Sequence, residues 1–188
     1  MKKIILPVLV LALTVTLLAM NQKRKKDANI ECYDDYAIII RTNKKYDNGV
    51  EYQTDSLVES GNVVLISSVK QMNDYIKTVK ENYYFNEEYS NNYSLIKVVE
   101  KYDRQFFTDR ELLVIPVTES SGSIRHGFDK IETVGSLATV HIERTCPEVG
   151  TCDMAYWFIF IEIDARKYEG IISFKLQMNT KDANIAIK

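Results

Sequence analysis

From Glu111 onward the apolar residues of this chain recur at every second position, and that period rules out a helical second half. Residues 139–144 alternate, with Val140 and Ile142 on one face and His141 and Glu143 on the other. Residues 156–164 do the same: Trp157, Ile159, Ile161 and Ile163 face one way, Phe158, Phe160 and Glu162 the other. A period of two belongs to a strand, whose successive side chains point to opposite faces. Residues 112–117 are almost continuously apolar, which suits a strand covered on both faces. Pro116 inside that run has no N–H to give a ladder and marks an edge or a bulge. Residues 171–178 read as a last strand.

The first half mixes the two periods. Residues 36–42 and 62–66 are short β-branched runs that read as strands. Asp47-Asn48-Gly49 between Tyr46 and Val50 predicts a hairpin turn, because Asn and Gly accept positive φ. Ser68 and Gln71 fit a capping box. Val69, Met72, Ile76, Val79 and Tyr83 then step by three and four, predicting an amphipathic helix over about 69–82. Residues 83–93 are polar and aromatic and read as an irregular link. Leu95, Val99, Tyr102 and Phe106 predict a second helix, ending near Phe107 because Asp103 and Asp109 oppose its dipole. The expected fold class is α+β: two amphipathic helices packed on a mainly antiparallel β-sheet or a small β-barrel or sandwich.

Charge is distributed unevenly. Residues 1–26 carry six basic residues and no acid, so a formal net charge of -2 for the whole chain leaves -8 for residues 27–188. A body this acidic excludes nucleic acid as a partner, since phosphate contact needs a basic face. Lys2 and Lys3 precede an apolar run, which is the pattern of an export signal. That run sits at the lower length limit for a membrane span, so residues 1–20 are a cleaved signal peptide or a retained N-terminal anchor. Residues 21–30 read as a basic linker and 31–188 as a single α+β domain. The expected location is extracytoplasmic, either membrane-anchored or secreted, with membrane contact through the N-terminal segment if it is uncleaved.

Chemistry-bearing residues gather between Glu119 and Trp157, in two turn-rich loops at 119–126 and 145–157. Cys146 and Cys152 enclose Pro147 and Gly150 in a tight loop that allows a disulfide, a structural staple of about 2 kcal/mol; Cys32 is left over. His126 and His141 are the two histidines of the chain. With Glu143, Glu148 and Asp153 they could form an acid–base pair or metal site, but nothing has the local spacing of a zinc motif. Ser120, Ser121 and Ser123 around Gly122 lack the second Gly and the following helix of a nucleophile elbow. Arg125 and Arg144 sit beside the loops, where each could pair with Glu148 or Asp153 or capture a foreign carboxylate. Trp157 opens an apolar strand beside a loop, a common place for an interface anchor. No catalytic constellation, metal site or cofactor site stands out. The candidate binding residues are Ser121, Gly122, Ser123, Arg125, His126, Glu148, Gly150, Asp153 and Trp157.

Tyr102-Asp-Arg-Gln-Phe-Phe107, the apolar strand, Gly122-Ser-Ile-Arg-His126 and Pro147-Glu-Val-Gly-Thr-Cys-Asp-Met-Ala155 resemble a group of small exported proteins of Gram-positive gut bacteria with no assigned activity. The layout of residues 102–164 is also similar to the protease-complex subunit PrcB-type domain, whose Gly-Gly-Tyr/Phe turn appears here as Gly122-Ser123-Ile124. Such domains in turn resemble chagasin-like protease inhibitors, which present several loops at one end of a β-sandwich. The resemblance implies a module that binds another exported or envelope protein, a protease among the candidates, through the 119–126 and 145–157 loops. An envelope hydrolase or thiol enzyme, and a structural component of a surface assembly, are the alternatives.

Overall fold

A computed structural model describes residues 34–47, 50–51, 56–86 and 94–182. All of them belong to one compact unit, Tyr33–Lys188. The expected export segment, the basic linker, Cys32 and the tip of the 47–49 turn lie outside the described residues.

The strands are β1 (Tyr36–Thr42), β2 (Tyr46–Asp47), β3 (Val50–Glu51), β4 (Val64–Ile66), β5 (Arg110–Glu119), β6 (Arg125–Val134), β7 (Leu137–Cys146), β8 (Ala155–Asp164) and β9 (Ser173–Asp182). The helices α1 (Val69–Asn82) and α2 (Leu95–Val99) fall between β4 and β5. One open sheet has the order β1-β8-β5-β4, antiparallel throughout. A second has the order β6-β7-β9, with β6 and β7 antiparallel and β7 and β9 parallel. β2 and β3 pair antiparallel on either side of the predicted turn. Among the described residues the mainly antiparallel expectation holds, with β7–β9 as a parallel exception, and the sheets do not close into a barrel.

Alternation explains the layering. Leu112 and Val114 of β5, with Tyr156, Phe158 and Phe160 of β8, pack with Met72, Tyr75 and Val79 of α1 and Leu95, Val98 and Val99 of α2. The intervening residues, Leu113, Ile115 and Val117 of β5 with Trp157, Ile159 and Ile161 of β8, pack with Val140 and Ile142 of β7. Helices cover one face of the first sheet and the second sheet covers the other. β5 and β8 are therefore buried on both sides, which is why β5 reads as an unbroken apolar run. Pro116 sits opposite Phe158 but beyond the end of the short β4 ladder, which stops at Val114. Its carbonyl accepts Gly61 N–H at 2.7 Å, so the side where its own N–H is missing has no strand to serve.

α1 begins as its sequence predicts. Ser68 Oγ accepts Gln71 N–H at 3.2 Å, while Gln71 Oε1 accepts Ser67 N–H, one residue outside the usual box. The predicted second helix is shorter than its spacing suggests. It ends at Val99, and Asp103 Oδ1 accepts Phe106 N–H at 2.9 Å. Asp103 thus ties down the start of a separate 3-10 turn, Phe106–Thr108, instead of opposing the end of a long helix. Tyr102 and Phe106 still pack together edge-on, with ring centroids 4.8 Å apart. Among the described residues no helix is long and apolar enough to cross a membrane.

Burial on both faces sets a clear expectation. Phe158→Ala removes a fully buried ring and should cost about 3–5 kcal/mol, whereas Lys70→Ala on the exposed face of α1 should stay within about 0.5 kcal/mol. Urea unfolding followed by circular dichroism measures both.

Candidate functional site

The strand order forces the two loops together. β5 ends at Glu119 beside Ala155, where β8 begins, and β6 begins at Arg125 beside Thr145, near the end of β7. The 120–124 segment and the 147–154 segment therefore cross between the same two sheets at the same end. The inward stripes of five strands all finish at this rim: Ala37-Ile39-Arg41 in β1, Ile115-Val117-Glu119 in β5, Ile159-Trp157 in β8, Val140-Ile142-Arg144 in β7 and Phe128-His126 in β6. Each apolar stripe ends in a polar or amphipathic side chain.

Glu119 is the centre of the inner layer. Arg144 grips it through two bonds, Nε to Oε1 and Nη2 to Oε2, each 2.7 Å. His126 Nε2 lies 2.9 Å from the same Oε1. The His126 side chain has no exposed surface and that of Glu119 only 6%. The imidazole meets the Trp157 ring edge-on, centroids 5.4 Å apart. Burial alone would raise the Glu119 pKa, but the hydrogen bonds and charges of Arg144 and His126 outweigh it and hold the carboxyl below its ordinary value. Burial lowers the His126 pKa, and Arg144 and Arg125 add to that, against the pull of Glu119. The neutral imidazole then donates from Nε2 to the carboxylate, with its Nδ1 and Trp157 Nε1 buried and without a hydrogen-bond partner.

An outer layer ties the loops to each other. Arg41 Nη2 donates to Asp153 Oδ2 at 2.6 Å, and Gly122 N–H donates to Asp153 Oδ1 at 3.1 Å. Hydrogen bonds from Thr151, Arg41 and the Gly122 amide bring the Asp153 carboxyl down to about 2. Thr151 Oγ1 lies 3.2 Å from both Ser121 Oγ and Ser123 Oγ, and Thr151 N–H donates to Ser123 Oγ at 3.1 Å. Gly122 is required by close approach: a Cβ there would stand 2.5 Å from Arg41 Nη1 and from Asp153 Oδ2. At Gly150 a Cβ would come within 2.8 Å of Ser121 Oγ.

The predicted loop residues Ser121, Gly122, Ser123, His126, Gly150, Asp153 and Trp157 are thus brought to one rim. Arg125 joins them, with Nη1 donating to the carbonyls of Gly122 (2.6 Å) and Ile124 (3.0 Å) and the guanidinium 5.8 Å from the Trp157 ring centroid. Glu148 is exposed on the second loop. Several pairings differ from expectation. Arg144 pairs with Glu119 and not with Glu148 or Asp153, because its strand parity points it between the sheets. Asp153 is taken by Arg41. Cys146 and Cys152 stand as separate thiols, and the Cys146 sulfur accepts an N–H from Arg144 Nη1. Ion pairs and hydroxyls therefore brace the rim in this structure where a staple was expected.

The two histidines lie on opposite faces of the second sheet. His141 faces outward, yet is buried, with Nε2 3.1 Å from Glu132 and Nδ1 3.4 Å from Asn179 Nδ2. A histidine on the polar face of a strand is ordinarily solvated, but here Glu132 and Asn179 lie against it. Among the described residues no group of three His, Cys, Asp or Glu side chains is placed to hold a metal ion. Glu119, Arg41 and Thr151 were not among the sequence candidates. Parity could have found the first two, since each continues an inward apolar stripe. No protein-family model, curated protein or solved structure matches this chain.

Two measurements test the rim. The folded His126 pKa lies below 6.5, so the unfolded chain takes up a proton that the folded chain refuses, and stability falls as pH drops below 6.5. The folded Glu119 pKa lies below 4.5, so its contribution is present above 4.5 and is lost as pH falls through the folded value. His126→Gln should flatten the decline in urea midpoint between about pH 7.5 and 5 while leaving the more acid limb in place. Gly122→Ala should separate Arg41 from Asp153 and speed amide exchange at residues 120–124, read by hydrogen–deuterium exchange.

Proposed function

We propose that this chain is an extracytoplasmic protein-binding module, membrane-anchored or secreted, that acts through the rim formed by loops 119–126 and 145–157. Its partner is another exported or envelope protein, and the resemblance to PrcB-type domains makes a protease the first candidate. The observation that carries this reading is the cross-tying of the two loops into one braced edge that nevertheless leaves Val149 84% and Met154 54% exposed. A rigid edge loses little conformational freedom on binding, and exposed apolar side chains on it gain by being covered. A helical layer behind the first sheet, with α1 as one member and the 95–107 segment as the second, would hold that edge still.

A hydrolase would need His126 to reach a substrate, and its side chain has no exposed surface, while Glu119 is already saturated by Arg144. Those facts favour binding over turnover.

The test uses the full chain, verified as folded, against an envelope extract, followed by calorimetry on the purified captured protein. Val149→Asp with Met154→Asp should weaken that complex by about 30-fold, the loss of roughly 2 kcal/mol expected at an interface anchor, with the melting temperature unchanged. Lys175→Glu, on an exposed site of β9, should have no effect. Equal affinity of the rim variant would refute the reading. Self-association in place of foreign binding would favour the surface-assembly alternative.

A further inference from the structure

Arginine binds carboxylates best through its Nε–H and Nη2–H edge, two parallel donors matched to two oxygens. Arg144 and Arg166 use that edge internally. Arg144 places it on Glu119, and Arg166 places it on Asp164, with Nε to Oδ1 at 3.1 Å and Nη2 to Oδ2 at 2.7 Å. Arg125 is committed differently. Its Nη1 is spent on two backbone carbonyls of the rim, Gly122 and Ile124, and the planar group lies over the Trp157 ring. The residue is exposed, and its Nε and Nη2 donate to no described residue; no carboxylate among the described residues pairs with it. The fork is therefore oriented, partly desolvated on one face and, among the described residues, empty.

We infer that Arg125 is the recognition anchor of the rim and takes the side-chain carboxylate of one Asp or Glu in the partner polypeptide. This rests on the binding reading above and names the chemistry of its partner. Two features narrow the occupant. Residues 27–188 carry a net -8, so a polyacidic segment is repelled and a lone acid in a neutral or basic segment fits. Val149 and Met154 expose apolar surface on the same rim, and an internal segment carries side chains before and after its acid to cover them, which a chain terminus does on one side alone. Holding the guanidinium in advance removes the rotamer cost that usually cancels an exposed ion pair.

The experiment follows the side-chain N–H resonances of Arg125 Nε and Trp157 Nε1 in the full, isotope-labelled chain. Three peptides serve as probes: acetyl-Ala-Leu-Glu-Leu-Ala-amide, its Gln counterpart, and the Gln peptide with a free terminal carboxylate. The Glu peptide should shift both resonances saturably, and the two Gln peptides should not. Arg125→Lys keeps the charge but loses the fork, and the Trp157 response should then need about tenfold more peptide. The inference is wrong if the Glu and Gln amides act alike, if only the free terminus binds, if no probe shifts either resonance, or if Arg125→Lys binds equally well. It is also wrong if Arg125→Gln lowers the melting temperature but leaves the affinity for the Glu peptide unchanged, since Arg125 would then be a loop clamp alone. Loss of the captured partner with Val149→Asp but not with Arg125→Lys would remove this inference and leave the binding reading standing.

Discussion

Burial of β5 and β8 on both faces is the constraint from which the rest of this structure follows. A strand with apolar side chains at nearly every position cannot face water on either side. It must be covered twice, here by α1 and α2 on one side and by β6, β7 and β9 on the other. Three layers result. The chain must then leave the first sheet after Glu119 and return to it before Ala155, and both crossings fall at one end. The placement of the candidate site is a consequence of how the core is covered.

The rim also carries a demanding electrostatic arrangement. A carboxylate taken out of water between two sheets costs several kcal/mol unless it is matched, and removing one partner of such a pair typically costs about 3–5 kcal/mol. Glu119 is matched three times over, by two bonds from Arg144 and one from His126. Its partners come from β6 and β7 while it comes from β5, so the cluster ties the second sheet to the first at one register. Arg41 and Asp153 repeat the device one layer out, joining β1 to the second loop. Edges built this way resist deformation, as the proposed binding surface would require.

Local patterns carried their elements well. The β-branched run 36–42 became β1 with those bounds, the apolar steps from Val69 became α1, and the alternation through Trp157 and Ile163 became β8. Failure came where a single side chain had two possible local partners. Asp103 lies where it would oppose a helix end, but its carboxylate accepts the Phe106 N–H that opens the following turn. Helical spacing from Leu95 to Phe106 reflected packing of Tyr102 and Phe106 against the same core, not a continuous helix. Five residues between Cys146 and Cys152 left room for a bridge, but strand parity turned Arg144 inward and its guanidinium took the Cys146 sulfur as an acceptor.

What the sequence determined by itself is periodicity, and with it most of the strands, the first helix and the face each residue shares with its neighbours two or four positions away. Such information is local, because backbone geometry alone sets which side chains lie side by side. The tertiary structure decided which charges meet. Glu119, His126 and Arg144 come from three strands in two sheets, and Arg41 lies 112 residues from Asp153. Those pairings depend on sheet order and on how the two sheets stack, neither of which is encoded by the spacing within any one strand.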